Sequence, residues 1–334
     1  MSIEDLMAQL DKEIGKNSSG QKVENFINTG YPPLNKIMSG KYDGGLPFGR
    51  MIEIYGASGS GKTAIATQCM INAQKLGGIA IFIDWERSFD VDMAVSMGLN
   101  PERPYWIYDK AKTWEAGNML AAKACKLIRQ SRAIPDSAPI IVVFDSIAAA
   151  IPQSSSEKEI DTLTMNDTSA LARVTSTTLK YQAQFAEEYN ATFLYLNQIR
   201  EKLGILFGPN TTTPGGRAME YYATVRLQIS RKALLDKTSE DGGMTGQNIT
   251  IKCTKSKMTA PFKTCELLLS FDDTGKADFD MVTSLIDYLA EQGIIEVSGT
   301  RIVWEGSKLY KKEVAKRIHE SGEYKKLVDM LKDA

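Results

Sequence analysis

Residues 56–63 read Gly-Ala-Ser-Gly-Ser-Gly-Lys-Thr and fill every position of the Gly-x-x-x-x-Gly-Lys-Ser/Thr phosphate-binding loop. The loop follows the apolar run Met51-Ile52-Glu53-Ile54-Tyr55 and leads into Ala64-Ile65-Ala66-Thr67-Gln68, which favours a helix. Phosphate oxygens need many donors that approach closely. Gly56, Gly59 and Gly61 let the backbone curl so that its N–H groups, including those of Ser58 and Ser60, point inward. The start of the helix at Ala64 adds a positive dipole end, Lys62 reaches the outer phosphates, and the Thr63 hydroxyl is placed to ligate Mg²⁺. An ordinary glycine-rich turn has no need of all these positions at once, so the chain is expected to bind a nucleoside triphosphate.

Such a loop sits in an α/β sheet, and the chain alternates accordingly from Phe26 to about Ser270. Strands are predicted at Ile52–Tyr55, Ile79–Asp84, Ile140–Asp145, Thr192–Leu196, Val225–Ser230, Ile249–Thr254 and Glu266–Leu269. Helices are predicted at Ala64–Lys75, Trp114–Arg129 and Ser169–Tyr189. The early alternation demands a parallel, doubly wound sheet, and the close spacing around Gly242-Gly243 predicts an antiparallel extension. Before this core, Ile3, Leu6, Met7, Leu10 and Ile14 form one apolar helix stripe, with Ser2 and Asp5 as a capping start. That stripe packs either on its own core or on a neighbouring subunit. After the core come helices at Met281–Glu291, Lys311–Glu320 and Tyr324–Lys332. The expected organisation is an N-terminal helix and linker at 1–28, a nucleotide-binding core at 29–270 and a small α-rich C-terminal domain at 271–334.

Composition excludes several classes. A single histidine, His319, rules out serine–histidine triads and multi-histidine metal sites. The four cysteines, Cys69, Cys125, Cys253 and Cys265, form no Cys-x-x-Cys pair and read as buried hydrophobes in a reducing compartment. The acidic opening Ser2-Ile3-Glu4-Asp5 is no signal peptide, and no apolar stretch approaches the ~20 residues of a membrane span. A soluble, cytoplasmic protein with no membrane partner is expected. With a net charge of -1, any nucleic-acid role must rest on local segments.

Three strand ends carry the remaining chemistry. Asp145 closes the run Ile141-Val142-Val143-Phe144, where a carboxylate can hold Mg²⁺ through water beside Thr63 or, alternatively, cap a helix. Asp84 and Glu86 follow the strand at Ile79–Asp84; either can polarise an attacking water, and a salt bridge of Glu86 with Arg87 is the plain alternative. Asn197-Gln198 ends the strand at Thr192–Leu196, where the Gln198 amide can bond a γ-phosphate oxygen and lose it on hydrolysis. Gln198 opens a long segment, 199–217, too long to be an idle loop in a compact domain. It carries Arg200, Lys202 and Arg217 among apolar Leu203, Ile205, Leu206 and Phe207, with Gly215-Gly216 near its end. Cations interleaved with apolar side chains suit single-stranded nucleic acid; a surface loop or an oligomer contact is the alternative.

These residues, read together, resemble the RecA family of recombinases. The matches run through Gly45-Leu46-Pro47-Phe48-Gly49-Arg50, Phe82-Ile83-Asp84-x-Glu86, Asn197-Gln198-Ile199-Arg200, Thr211-Thr212-Thr213 with Gly215-Gly216, Val225-Arg226-Leu227, and Lys255-x-Lys257-x-x-Ala260-Pro261-Phe262-Lys263. The resemblance implies a RecA-like core with a mainly parallel sheet, ATP and Mg²⁺ as cofactors, and Glu86 rather than Asp84 as catalytic glutamate. It implies Gln198 as the link from γ-phosphate to the DNA-binding segment, with Leu203 at the position that wedges between base triplets. Lys255 and Lys257 are implied to reach a neighbour's triphosphate, and Arg173 and Lys180 to be basic positions near a first DNA loop at about 153–169. Asp90 keeps the acidic position beside the nucleobase, while Met93 stands where the family has a stacking tyrosine. The implied partners are single-stranded DNA, homologous duplex and further copies of the chain in a helical filament. The implied activity is DNA-stimulated ATP hydrolysis coupled to strand exchange. A ring-forming helicase and a non-hydrolysing accessory filament protein are the competing readings.

Overall fold

The computed structural model of the chain describes residues 2–14, 23–159, 162, 165–201, 211–235, 243–272 and 274–332. Its centre is a nine-stranded sheet. Six strands run parallel: β3 (Met51–Gly56), β4 (Ile79–Asp84), β5 (Trp106–Asp109), β6 (Ile140–Asp145), β7 (Ala191–Gln198) and β10 (Val225–Leu235). β11 (Met244–Ser256), β12 (Thr264–Phe271) and β13 (Ala277–Phe279) continue it antiparallel from β10. The spatial order is β13-β12-β11-β10-β3-β7-β6-β4-β5, so the phosphate-loop strand lies between β10 and β7. The parallel sheet and its antiparallel extension are as the spacing of the strands predicts. β5 was not anticipated: it is a four-residue edge strand, half-buried and largely aromatic, with no apolar run to announce it.

β3, β4 and β6 read as apolar runs because both faces of the sheet are covered. Alternate residues divide between two cores. Ile52, Ile54, Phe82, Val143 and Leu194 pack beneath α3 (Lys62–Lys75) and α2 (Pro32–Ser39). Met51, Ile83, Phe144, Phe193 and Tyr195 pack beneath α5 (Trp114–Ser131) and α7 (Met165–Glu188). The second core is aromatic: Trp85 stacks on Trp114 and Phe144, and Phe144 stacks on Tyr195 at 4.3 Å. All four cysteines are free and buried, as expected for small hydrophobes.

Shorter elements complete the chain: the pair β1 (Phe26–Ile27) and β2 (Leu46–Pro47), α4 (Val91–Ser96), α6 (Gln153–Ser156), the pair β8 (Arg200–Glu201) and β9 (Thr211–Thr212), and α8 (Ala218–Tyr222). Beyond β13 lie α9 (Met281–Glu291), a three-stranded sheet of β14 (Val297–Ser298), β15 (Arg301–Trp304) and β16 (Ser307–Tyr310), then α10 (Lys311–Ser321) and α11 (Tyr324–Met330). The little sheet is unannounced in sequence, its strands being only two to four residues long. Leu285, Ile302, Val314 and Leu327 join the same apolar cluster as the α3 side of the main sheet.

α1 (Ile3–Ile14) opens with a reciprocal cap, Ser2 N–H to Asp5 Oδ2 at 2.9 Å and Asp5 N–H to Ser2 Oγ at 3.1 Å. Its residues Ile3 and Leu6 stay exposed instead of packing on the chain's own core. Among the described residues no helix is long and apolar enough to cross a membrane.

Candidate functional site

The strand ends at one edge of the sheet converge on the phosphate loop. The loop leaves β3 at Gly56 and enters α3 through Gly61, whose φ of 91° is left-handed and whose added Cβ would lie 2.5 Å from Ile249 Cδ1. At Gly56 an added Cβ would lie 2.3 Å from the Ile229 carbonyl oxygen, because β10 runs tight beside β3. Glycine is therefore required by close packing as much as by the turn. Ser58 and Gly59 are exposed on the crest, while the Ser60 hydroxyl is buried inside the curl and makes no hydrogen bond among the described residues. The buried Lys62 ammonium donates to the carbonyls of Gly56 (3.2 Å) and Ala57 (2.7 Å), which holds it over the loop's hollow. Burial lowers its pKa, opposed by the carboxylates of Asp145 and Glu86.

Thr63 Oγ1 donates to Asp145 Oδ2 at 2.9 Å across the crevice between α3 and the end of β6. Hydroxyl and carboxylate are hard oxygen donors suited to Mg²⁺, so the loop, Lys62, Thr63 and Asp145 together fit a magnesium-bound nucleoside triphosphate. Burial, with the Glu86 carboxylate beside it, pushes the Asp145 carboxyl up to about 7. Asp145 caps no helix: the neighbouring 3₁₀ turn at Ile147–Ala149 has Ser146 at its N-cap.

The two carboxylates after β4 now separate. Asp84 is buried and fully engaged: Oδ1 accepts the Arg87 N–H at 2.6 Å, and Oδ2 accepts the Phe89 N–H at 3.2 Å and the Tyr108 hydroxyl at 2.8 Å. It shapes the turn at Arg87, whose φ is 59°. Glu86 faces the site instead. Its Oε1 accepts from Ser146 Oγ at 2.5 Å and from Gln198 Nε2 at 2.9 Å, and no salt bridge with Arg87 forms. Residues from two strand ends thus hold the carboxylate carried by a third. Nothing in the sequence marks Ser146; only the folded geometry brings it to Glu86.

Asp90 has a structural task, accepting the Met93 N–H at 2.9 Å as N-cap of α4, and Met93 stands partly exposed on that helix. Ala64 lies in the first turn of α3.

Lys255 and Lys257 are elsewhere. Lys255 pairs with Arg226, which pairs with Glu53 three residues before Gly56. This places Lys255 about 10 Å back along the sheet from the loop, and two strand spacings, roughly 10 Å, to the side. Neither lysine lies at its own phosphate loop. Lys255 Nζ donates to the carbonyls of Glu220 (2.5 Å) and Tyr221 (3.1 Å), and burial, with Lys257 and Arg226 nearby, draws its pKa down to about 8.

Of the basic residues, Arg173 on α7 meets Gly216 and Arg217 along a groove of about 480 Å³ that Ser169, Ser176 and Tyr221 also line. Lys180 sits exposed two turns further along α7, outside this groove. Arg200 is exposed on β8 opposite Thr212. Lys202 and Leu203 lie outside the described residues. Gly215 and Gly216 have φ of 84° and 73°, and added Cβ atoms would lie 2.9 Å from Ile147 Cγ2 and 3.2 Å from Ala172 Cβ. The fold itself requires these glycines, since they seat the end of the segment against α7.

Fold and site define a phosphate-loop nucleotide-binding protein built on a mainly parallel sheet with an antiparallel extension beside the loop strand. The sequence profile of the RecA N-terminal domain matches residues 1–276. Curated relatives named Protein RecA include that of Frankia casuarinae, 34% identical over 316 residues covering 92% of this chain and 84% of the relative. Those of Salinispora arenicola (33% over 306 residues, 91% and 82%) and Mycolicibacterium smegmatis (35% over 315 residues, 92% and 83%) are similar. The chain belongs to the RecA family of DNA recombinases.

Proposed function

We propose that this chain hydrolyses ATP with Mg²⁺ at joints between its own copies, polymerises on single-stranded DNA, and pairs that strand with homologous duplex. One observation carries the reading: Gln198, the first residue before the 199–217 segment, holds the catalytic candidate Glu86 at 2.9 Å. A nucleotide whose outer phosphate draws on Gln198 changes the segment that follows it, so nucleotide state and DNA grip become one equilibrium. Bound ATP·Mg²⁺ supplies the phosphoryl group and a divalent charge on its oxygens. Lys62 and the loop N–H groups bind the phosphates, Thr63 and Asp145 hold the ion, and Glu86 orients the attacking water and accepts its proton. Arg173, Arg200 and Arg217 neutralise DNA phosphates, and Lys202 and Leu203 are assigned to DNA binding by the family resemblance alone.

Assembly follows from where groups are not. Lys255 and Lys257 lie too far from their own loop to meet a γ-phosphate, which supports their serving the next copy, as cations supplied in trans. A groove of about 500 Å³ between α5 and α7, lined by Glu115, Met119, Lys123, Lys126, Tyr181 and Phe185, offers the exposed Ile3 and Leu6 of another copy a seat. A second copy's α1 is the occupant we assign to it: an apolar stripe with Glu4 and Asp5 in its first turn meets an apolar floor edged by two lysines and one glutamate. The test is strand exchange between matched DNAs with purified protein and ATP, with electron microscopy of the same mixture. Helical filaments and product joint molecules support the reading; closed rings favour a helicase, and absence of DNA-stimulated hydrolysis favours an accessory binder.

A further inference from the structure

A carboxylate sits in the middle of the phosphate-loop strand with no access to solvent. Glu53 is wholly buried; its Oε1 accepts from Asn197 Nδ2 at 2.9 Å and its Oε2 from Arg226 Nε at 2.6 Å. Replacing such a buried pair with apolar side chains of similar volume is often neutral or stabilising, so packing alone does not ask for it here. What distinguishes this pair is where its two ends lead. The Asn197 amide also donates to the Pro214 carbonyl at 3.1 Å, at the end of the 199–217 segment. Arg226, lying over the Tyr55 ring at 4.8 Å, reaches Glu220 of α8 at 3.8 Å and stands opposite Lys255. A register shift beside Arg226 leaves Thr254 as an extra residue, bonded by Tyr55 OH (3.0 Å) and bonding the Arg226 carbonyl (3.2 Å), and this bulge aims Lys255 onto α8. α8 begins directly after Arg217.

We infer that Asn197, Glu53 and Arg226 form a positioning network that carries the arrangement of the 211–217 segment to α8, and so decides whether Lys255 stays docked on its own helix or is released toward the next copy. This rests on the proposed role of Lys255 in trans. The two-state element is the lysine, held by the Glu220 and Tyr221 carbonyls in one state and facing the neighbour in the other. Nucleic acid gripping the 211–217 segment moves Pro214 and α8 together, which biases the lysine outward. One copy's DNA contact thereby reaches its neighbour's nucleotide, a route separate from the Gln198–Glu86 bond within a copy.

The test uses the full chain carrying Glu53→Met with Arg226→Met, and separately Glu53→Gln, with an oligo-dT strand and ATP. Thermal melts establish that the double variant folds. It is expected to form filaments with a KM for ATP within about twofold of wild type, while DNA-stimulated kcat falls about tenfold or more, as misplacement of a remote cation does. Mixing with excess Glu86→Gln copies, whose own sites are dead but whose Lys255 is intact, is expected to restore turnover at the variant's sites. Wild-type stimulation in the folded double variant, or a loss that Glu86→Gln copies do not relieve, overturns the network. Lys255→Ala mixed in the same way is the control: if it is not rescued, the role in trans fails first and the inference falls with it. If it is rescued and the double variant is not, the network alone is wrong.

Discussion

Replacing Asp145 with asparagine separates what the carboxylate does for the fold from what it does for the metal. Without metal or nucleotide, burial and the neighbouring Glu86 raise the Asp145 carboxyl from its ordinary value of 3.8 to about 7. Between these values the folded chain holds a proton that the unfolded chain releases, so the folded state loses stability as pH rises through that window. The stabilisation is complete below about pH 4, declines steadily above it, and is gone once the pH passes about 7. A gap of about 3 units corresponds to about 4 kcal/mol. Asparagine is neutral throughout and keeps an oxygen to accept from Thr63 Oγ1. Asp145→Asn should therefore match wild type near pH 4 and exceed it by about 4 kcal/mol at pH 8, an increase in Tm of roughly 5–10 °C for a chain of this size. Differential scanning calorimetry of both proteins in chelator, from pH 4 to pH 8, measures the difference directly. In the same variant, magnesium-dependent turnover should collapse, and in wild type the binding of Mg²⁺ with nucleotide should release a proton at pH 6 but not at pH 9. A variant that melts at or below wild type at pH 8 would refute the reasoning, since the buried charge would then not be costing the fold anything.

Glu86→Gln should leave nucleotide affinity within a few-fold of wild type and cut ATP hydrolysis by about 10²-fold or more, read by phosphate release and nucleotide titration; retained turnover would return the base to Asp84 despite its three hydrogen bonds. Gln198→Ala should bring single-strand affinity with an ATP analogue down to its value with ADP, measured by fluorescence anisotropy, because the bond to Glu86 that ties the segment to the site is gone. Leu6→Glu should abolish self-association seen by sedimentation while leaving the melting temperature of the single copy unchanged, since Leu6 is exposed in the chain itself. Wild-type affinity for single strands should fall steeply with added salt, as phosphate-dominated binding does.

The parts of this architecture legible in sequence are those whose physics is local. A phosphate loop is a short run of backbone conformations, and strands covered on both faces read as apolar runs, so β3, β4 and β6 appear within a residue of where they lie. The choice between Asp84 and Glu86 was open because both carboxylates leave the same strand. The structure sets the two apart by partners distant in sequence, Tyr108 for one, Ser146 and Gln198 for the other. Glu53 was invisible as a site for the same reason, since inside Met51–Gly56 it looks like one polar interruption and its partner Arg226 is 173 residues away. What Gly215 and Gly216 pack against was equally out of reach of the sequence, because an added Cβ on them would meet Ile147 and Ala172, both far along the chain.

The polarity of the sheet bears on assembly in a way neither lysine does alone. Lys62, Thr63, Asp145, Glu86 and Gln198 all lie at the carboxyl ends of parallel strands, whereas Lys255 and Lys257 end β11, which runs the other way, and so stand near where β3 begins. Acceptor and donor surfaces are therefore on opposed edges of one rigid sheet. A head-to-tail contact, repeated, would set the lysines of every copy against the phosphate loop of the next, as the proposed role in trans asks. Such a contact makes either a ring or an open helix, and α1, with Ile3 and Leu6 exposed, would add a second tether to the same neighbour. Two attachments, one through the nucleotide and one through α1, would let the angle at the nucleotide joint change while the copies stay joined.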